Sequence, residues 1–132
     1  SSAIKQINRI TETTVVKKSS LYETSPLGPK LQPNFINAVV EIKTALKPDE
    51  LLLKLQALEK LHNRKKTRRW GPRSIDLDIL IYDKLIMDTK KLTIPHPGVK
   101  YREFVLLPLY EITGYGYEIP LYGKITSLIR RI

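Results

Sequence analysis

The architecture of this chain turns on the stretch Trp70-Gly71-Pro72-Arg73-Ser74-Ile75-Asp76-Leu77-Asp78-Ile79-Leu80-Ile81-Tyr82. From Ile75 it runs with period two: Leu77, Ile79 and Ile81 point one way, and Asp76, Asp78, Leu80 and Tyr82 the other. The pattern predicts a strand with one apolar face and two carboxylates side by side on the opposite face. Carboxylates so placed can converge on a hard cation such as magnesium and leave coordination positions for water and phosphate. An isolated Asp-x-Asp is more often a solvated pair, so the surroundings of Asp76 and Asp78 carry the weight. Gly71 and Pro72 predict a tight turn that holds Arg73 near Asp76, and a guanidinium suits bidentate phosphate contact.

Directly upstream, Lys60, Arg64, Lys65, Lys66, Arg68, Arg69 and Arg73 crowd one segment with no carboxylate among them. Acids that bind a cation beside a cluster that binds anions form the two halves of a metal-polyphosphate site. Before this segment, Pro48 to Asn63 predicts a helix, with Pro48, Asp49 and Glu50 at its start and Leu51, Leu52, Leu55 and Leu58 as its apolar stripe. Gln56 and Glu59 share a neighbouring face of that helix. Phe35 to Thr44 alternates as a strand, with Ile36, Ala38, Val40 and Ile42 toward the core. Its other face carries Phe35 and Asn37, a ring and an amide suited to a planar polar ligand.

Farther out, Ser2 to Ile10 predicts a short helix, Thr14 to Thr24 a strand, and the Pro-rich segment Ser25 to Pro33 a loop. Downstream, Leu92 to Pro97 reads as a short extended piece, with His96 held rigidly between Pro95 and Pro97 where its ring can donate to phosphate. Phe104 to Ile112 predicts an apolar helix kinked or started near Pro108, and the residues after Gly116 suggest no definite element. Strands interleaved with helices and joined by hairpin-like turns give an α+β two-layer sandwich.

Composition sets the outer limits. The 132 residues form one domain with 23 Lys+Arg against 13 Asp+Glu, a formal net charge of +10 that points to an anionic partner. Without Cys there is no disulfide framework, zinc ribbon or thiol nucleophile. No apolar run approaches the roughly 20 residues that span a bilayer, and the first ten residues lack a signal-peptide pattern, so a cytoplasmic protein is expected.

The order Trp-Gly-Pro-Arg-x-x-Asp-Leu-Asp-Ile-Leu at 70–80 resembles the signature of the 6-hydroxymethyl-7,8-dihydropterin pyrophosphokinase family, a folate-biosynthesis enzyme. The similarity extends along nearly the whole chain. Thr24 to Pro29 resembles the family's Pro-Leu-Gly-Pro loop, Phe35, Asn37 and Ala38 its pterin strand, and Leu92 to Phe104 its Leu-Thr-x-Pro-His segment with the Arg and Phe that follow. The resemblance implies an ATP-dependent enzyme that transfers pyrophosphate from ATP to the pterin's hydroxymethyl group, in a ferredoxin-like fold with a mainly antiparallel sheet.

Carried over position by position, it implies that Asp76 and Asp78 bind two magnesium ions. Arg64, Arg73, His96 and Arg102 would hold ATP phosphates, with Lys66 where the family commonly has Arg. Gln56, Glu59, Trp70 and Thr93 would belong to the ATP side, and Thr24, Leu27, Phe35, Asn37 and Phe104 to the pterin pocket. The segment from His62 to Trp70 would be a mobile lid, with Asn63 replacing the family's usual Gly in a turn before Arg64. The family's fold opens with a hydrophobic strand inside the sheet, which this chain lacks. About 15 further residues upstream are therefore expected, since the exposed ladder edges would otherwise stay unpaired.

ATP and the pterin are the implied partners, with neither nucleic acid nor membrane, and a link to or fusion with other folate-pathway enzymes remains open. The competing readings are a small RNA-binding domain that uses the basic segment as an arm and Trp70 as a stacking platform, and an inactive relative of the enzyme. The two acids at the mouth of such an arm would repel a nucleic acid backbone.

Overall fold

In the computed structural model of the chain, residues 2–24, 35–64 and 75–132 are described. Helix α1 spans Ser2–Ile7. Strands β1 (Thr13–Lys18), β2 (Tyr22–Thr24), β3 (Phe35–Asn37) and β4 (Val40–Thr44) precede helix α2 (Pro48–Arg64). Short strands β5 (Met87–Asp88) and β6 (Thr93–Ile94) lead through a 3-10 turn at Pro97–Lys100 into α3 (Glu103–Thr113). The hairpin β7 (Glu118–Ile119) and β8 (Gly123–Lys124) and helix α4 (Ile125–Arg130) complete the order. The class is α+β. Its described ladders are four antiparallel pairs, β1–β4, β2–β3, β5–β6 and β7–β8.

Two expected strands are each broken in two by one non-local contact. Ser19 and Val39 exchange bonds: Ser19 N donates to the Val39 carbonyl at 2.9 Å, and Val39 N donates to Ser19 Oγ at 2.9 Å. The exchange falls where each chain changes partner, so 13–18 pairs with 40–44 while 22–24 pairs with 35–37. The expected core face of 35–44 survives only in its second half. Val40 and Ile42 pack on the core, whereas Ile36 is 55% exposed and Ala38 is exposed.

Helix α2 begins as its composition predicts. Pro48 stands at the first helical position, and the Glu50 carboxylate reaches back to accept from Lys47 N at 3.0 Å, so an orphan amide of the helix start is satisfied. Leu51 and Leu55 are buried and join Ile7, Leu46, Ile79, Leu92 and Ile94 in a first core, between the helices and the β1–β4 pair. A second core gathers Val99, Leu106, Leu109, Ile119, Ile125 and Leu128. Helix α3 starts at Glu103, upstream of the expected Pro108, and Pro108 lies buried inside it. Gly114, at φ 86°, ends that helix in a conformation glycine adopts without strain, its N–H on the Tyr110 carbonyl at 2.9 Å. No helix is long and apolar enough to cross a membrane among the described residues.

Segment 75–82 keeps the predicted alternation over 76–79, loses it by Tyr82, which packs on the same core as Leu77, and is not a ladder strand among the described residues. Ile79 is buried in the first core, where Leu77 and Tyr82 also pack, and Ile81 packs against the second. Its backbone is met by isolated partners instead of a neighbouring strand. His96 N donates to the Leu80 carbonyl at 2.8 Å, and the side chain of Tyr82 anchors the segment by donating its hydroxyl to the Leu46 carbonyl at 2.6 Å.

Candidate functional site

An extended segment without a ladder must satisfy its amides elsewhere. Here helix α2 does so with side chains one turn apart. Glu59 Oε1 accepts from Leu77 N at 3.3 Å, and Asn63 Oδ1 accepts from Ile75 N at 3.2 Å. Residues 75 and 77 present their amides to the helix, and Asp76 and Asp78 turn their side chains into a cleft. Asn63 is thus helical and acts as a grip, which corrects the expectation that it forms a turn. His62, expected in the lid, is likewise buried in the helix.

The cleft has a volume of about 510 Å³ and is lined by Asn37, Asp76, Asp78, Arg102 and Phe104, with Tyr101, Glu103 and Val105 beside them. Each wall has its own support. Asn37 comes from the end of β3, the two aspartates from segment 75–82, and Arg102 and Phe104 from the start of α3. Five residues expected from sequence therefore meet in one place: two acids for a cation, a guanidinium for phosphate, and an amide and a ring for a planar ligand.

Electrostatics mark the same spot. The Glu59 carboxyl is pushed above its ordinary value first by burial and then by the nearby charges of Asp76 and Asp78, against the lowering effect of the Leu77 amide. Among the described residues no group of three or more His, Asp or Glu side chains is placed to hold a metal ion, and Glu59 does not line the cleft. Asp76 and Asp78 both line the cleft, and a carboxylate pair can supply part of an oxygen donor set to a hard cation.

His96 occupies a fixed pose. Its Nδ1 accepts from Gly98 N at 3.0 Å, which places the ring proton on Nε2 as a donor. Gly98 allows this crowding. A Cβ there would stand 3.2 Å from both His96 Nδ1 and Arg102 Nε.

The remaining expected residues divide into two groups. Gln56 is exposed and Thr93 spends its hydroxyl on Asp88 Oδ1 at 3.2 Å; neither lines the cleft, nor do Glu59 and His96. Leu27, Lys66, Trp70 and Arg73, together with the side chains of Thr24, Phe35 and Arg64, lie outside the described residues; the backbones of Thr24 and Phe35 are register partners across β2 and β3.

Tyr101, Glu103 and Val105 were missed from sequence. The available signal was their position around Arg102 and Phe104, at the turn into a helix whose first residues face the cleft. Tyr101, 70% exposed, has Lys100 Nζ 5.0 Å from its ring centroid, and the same ammonium lies 4.7 Å from that of Tyr122.

Comparison with known proteins bears on this geometry. The family model for 7,8-dihydro-6-hydroxymethylpterin-pyrophosphokinase matches residues 1–114. The chain is 43% identical over 129 residues to the 2-amino-4-hydroxy-6-hydroxymethyldihydropteridine pyrophosphokinase of Haemophilus influenzae, covering 98% of this chain and 80% of that protein. It is 46% identical over 110 residues to the protein of the same name from Bacillus subtilis, covering 83% and 66%. It is also 49% identical over 100 residues to the folic acid synthesis protein fol1 of Pneumocystis carinii, covering 76% of this chain but 14% of that much longer one.

Proposed function

Since the chain belongs to the 7,8-dihydro-6-hydroxymethylpterin-pyrophosphokinase family, we propose that its cleft transfers pyrophosphate from ATP to the hydroxymethyl group of 6-hydroxymethyl-7,8-dihydropterin, releasing AMP and the pterin diphosphate. The observation that carries the reading is the gathering of Asp76, Asp78 and Arg102 with Asn37 and Phe104 around a single cleft. An acid pair beside a guanidinium suits a metal-bound triphosphate, and a ring beside an amide suits a pterin.

Asp76 and Asp78 would hold the magnesium, with two ions as the family resemblance implies. Bound there, magnesium supplies neutralisation of phosphate charge. Arg102 and the Nε2 donor of His96 take up phosphate oxygens, and Arg64, Lys66, Trp70 and Arg73 are proposed to close over ATP from the basic segment. Glu59 holds the Leu77 amide and so aims both aspartates. Phe104 stacks on the pterin, with Phe35 proposed on the opposite face, while Asn37 reads its polar edge and Thr24 and Leu27 complete the pocket.

These groups bring the pterin oxygen into line with the β-phosphorus of ATP. As the new oxygen–phosphorus bond forms, the bond from the β-phosphorus to the bridging oxygen breaks, AMP departs with that oxygen, and the hydroxyl proton is released to solvent. Alignment and charge complementarity carry most of the rate gain, because the reaction needs no covalent enzyme intermediate. A ferredoxin-like arrangement of the ladders is part of the proposal, supported by the packing of α1 and α2 on the β1–β4 pair. ATP is an intracellular co-substrate, so a cytoplasmic setting belongs to it too.

Calorimetric titration tests the reading. Magnesium-ATP, or a non-hydrolysable analogue with magnesium, should bind first and 6-hydroxymethylpterin should then bind to the complex. Nucleotide binding that ignores magnesium, or a pterin that never binds, would overturn it.

A further inference from the structure

The two walls of the cleft come from parts of the chain far apart in sequence, and their separation has to be set by something. On one wall, Asn37 is the register partner of Tyr22 across the β2–β3 pair. On the other, Phe104 and Glu111 are seven residues apart on α3, two helical turns, and so lie along the same stripe. The Glu111 carboxylate spans the gap between these walls. Its Oε2 accepts from Ser20 N at 2.9 Å and Ser20 Oγ at 3.0 Å, and its Oε1 accepts from the Tyr22 hydroxyl at 2.8 Å.

We infer that Glu111 is a positioning residue, tying β2 to α3 and thereby setting the spacing between Asn37 and Phe104 on the pterin side of the cleft. The inference rests on the proposed pterin-binding function. Three donors on one carboxylate, two of them from the same residue, define direction as well as distance, because each oxygen is committed to a different point on the β2 wall. Neighbouring contacts restrict the slack on both sides. Ser19, adjacent to Ser20, is bonded to Val39, and Lys17 Nζ reaches the Ile112 carbonyl at 3.5 Å. A shift of α3 along β2 would have to break the carboxylate contacts, and the stacking ring would move with the helix.

The tether is exposed to water, so it contributes little to global stability and acts mainly on local geometry. That separates it from an ordinary structural contact. A residue that only stabilised the fold would alter both ligands' affinities together or neither; a wall-spacing residue alters the pterin alone.

The test measures the dissociation constants of E111A, E111Q and Y22F for magnesium with a non-hydrolysable ATP analogue, and for 6-hydroxymethylpterin on that complex. Misplacement of one wall in E111A should weaken pterin binding roughly tenfold and leave nucleotide binding within about twofold. Gln can still accept from Ser20 and donate to the Tyr22 oxygen, so E111Q should restore most of the pterin affinity, and Y22F should fall between. Pterin affinity unchanged in both E111A and Y22F, or pterin and nucleotide affinities that decline in parallel, would overturn the inference alone. Failure of the unsubstituted protein to bind pterin would overturn the functional reading and the tether with it. If E111A does not fold, Y22F and E111Q give the same decision.

Discussion

Glu59 Oε1 accepts the amide proton of Leu77 at 3.3 Å, and Leu77 lies between the two aspartates that face the cleft. One helical side chain thereby aims two others without touching either through a hydrogen bond of its own. Replacing Glu59 by Ala leaves the Leu77 amide without this acceptor, a loss of about 1 kcal/mol, and frees the aspartates to turn. The expected result is a fall in kcat of about tenfold with a small drop in Tm. Glu59→Gln keeps an acceptor oxygen and should recover most of the rate, as measured by steady-state kinetics.

Phe104 and Leu106 stand two residues apart on α3 and do opposite work. Phe104 is 42% exposed at the cleft, whereas Leu106 is fully buried in the second core. Leu106→Ala should cost about 2–5 kcal/mol through the cavity it leaves. Phe104→Ala should change stability by less than about 1 kcal/mol but raise the pterin KM. Denaturant melts and initial rates on the two variants separate these effects.

Gly98 leaves room for His96 and Arg102 to crowd together. In Gly98→Ala the new methyl group would meet His96 Nδ1 and Arg102 Nε at 3.2 Å, so one or both must give way. Both are proposed phosphate donors. The expected outcome is a several-fold rise in the KM for ATP, on the order of threefold to tenfold, with the pterin KM little changed.

The Glu111 contact has a pH signature. Hydrogen bonds from Tyr22 and Ser20 hold the Glu111 carboxyl below its ordinary value of 4.5. The resulting stability is present above pH 4.5 and is lost as pH falls through the lower native value. Tyr22 is shifted the other way, above its ordinary 10.0, chiefly by its bond to Glu111, so its share is present below pH 10 and is lost as pH rises through the higher native value. Because the contact is exposed, E111Q should show only a small Tm deficit, confined to the range between these limits, and match the parent protein at acid pH. Thermal melts across the pH range check this.

Much of the site was legible because period two leaves little freedom. Once 75–82 is extended, Asp76 and Asp78 must share a face, and the structure places both in one cleft with Asn37, Arg102 and Phe104. Helix α2 was legible for the same local reasons: Pro48, Asp49 and Glu50 at one end, and leucines at helical spacing. The breaks at 19–21 and 38–39 were not, because they depend on Ser19 and Val39 bonding to each other across 20 residues.

The role of Asn63 was misread for a similar reason. Its composition allows a turn, but its bond to Ile75 N lies across an intervening segment that local propensity does not see. The β7–β8 hairpin has strands of two residues, too short for any periodicity to register. Tyr101, Glu103 and Val105 escaped notice because no motif singles them out and they line the cleft only through the turn that precedes α3.

The most direct measurement is the product pattern when the protein is given ATP, magnesium and 6-hydroxymethyl-7,8-dihydropterin, followed by phosphorus NMR. AMP and the pterin diphosphate should appear in equal amounts. Asp76→Ala and Asp78→Ala should each reduce that turnover by at least about a hundredfold, with thermal stability within about 0.5 kcal/mol of the parent because both side chains are exposed. ADP with a pterin monophosphate, or undiminished turnover in both aspartate variants, would contradict pyrophosphoryl transfer at this cleft.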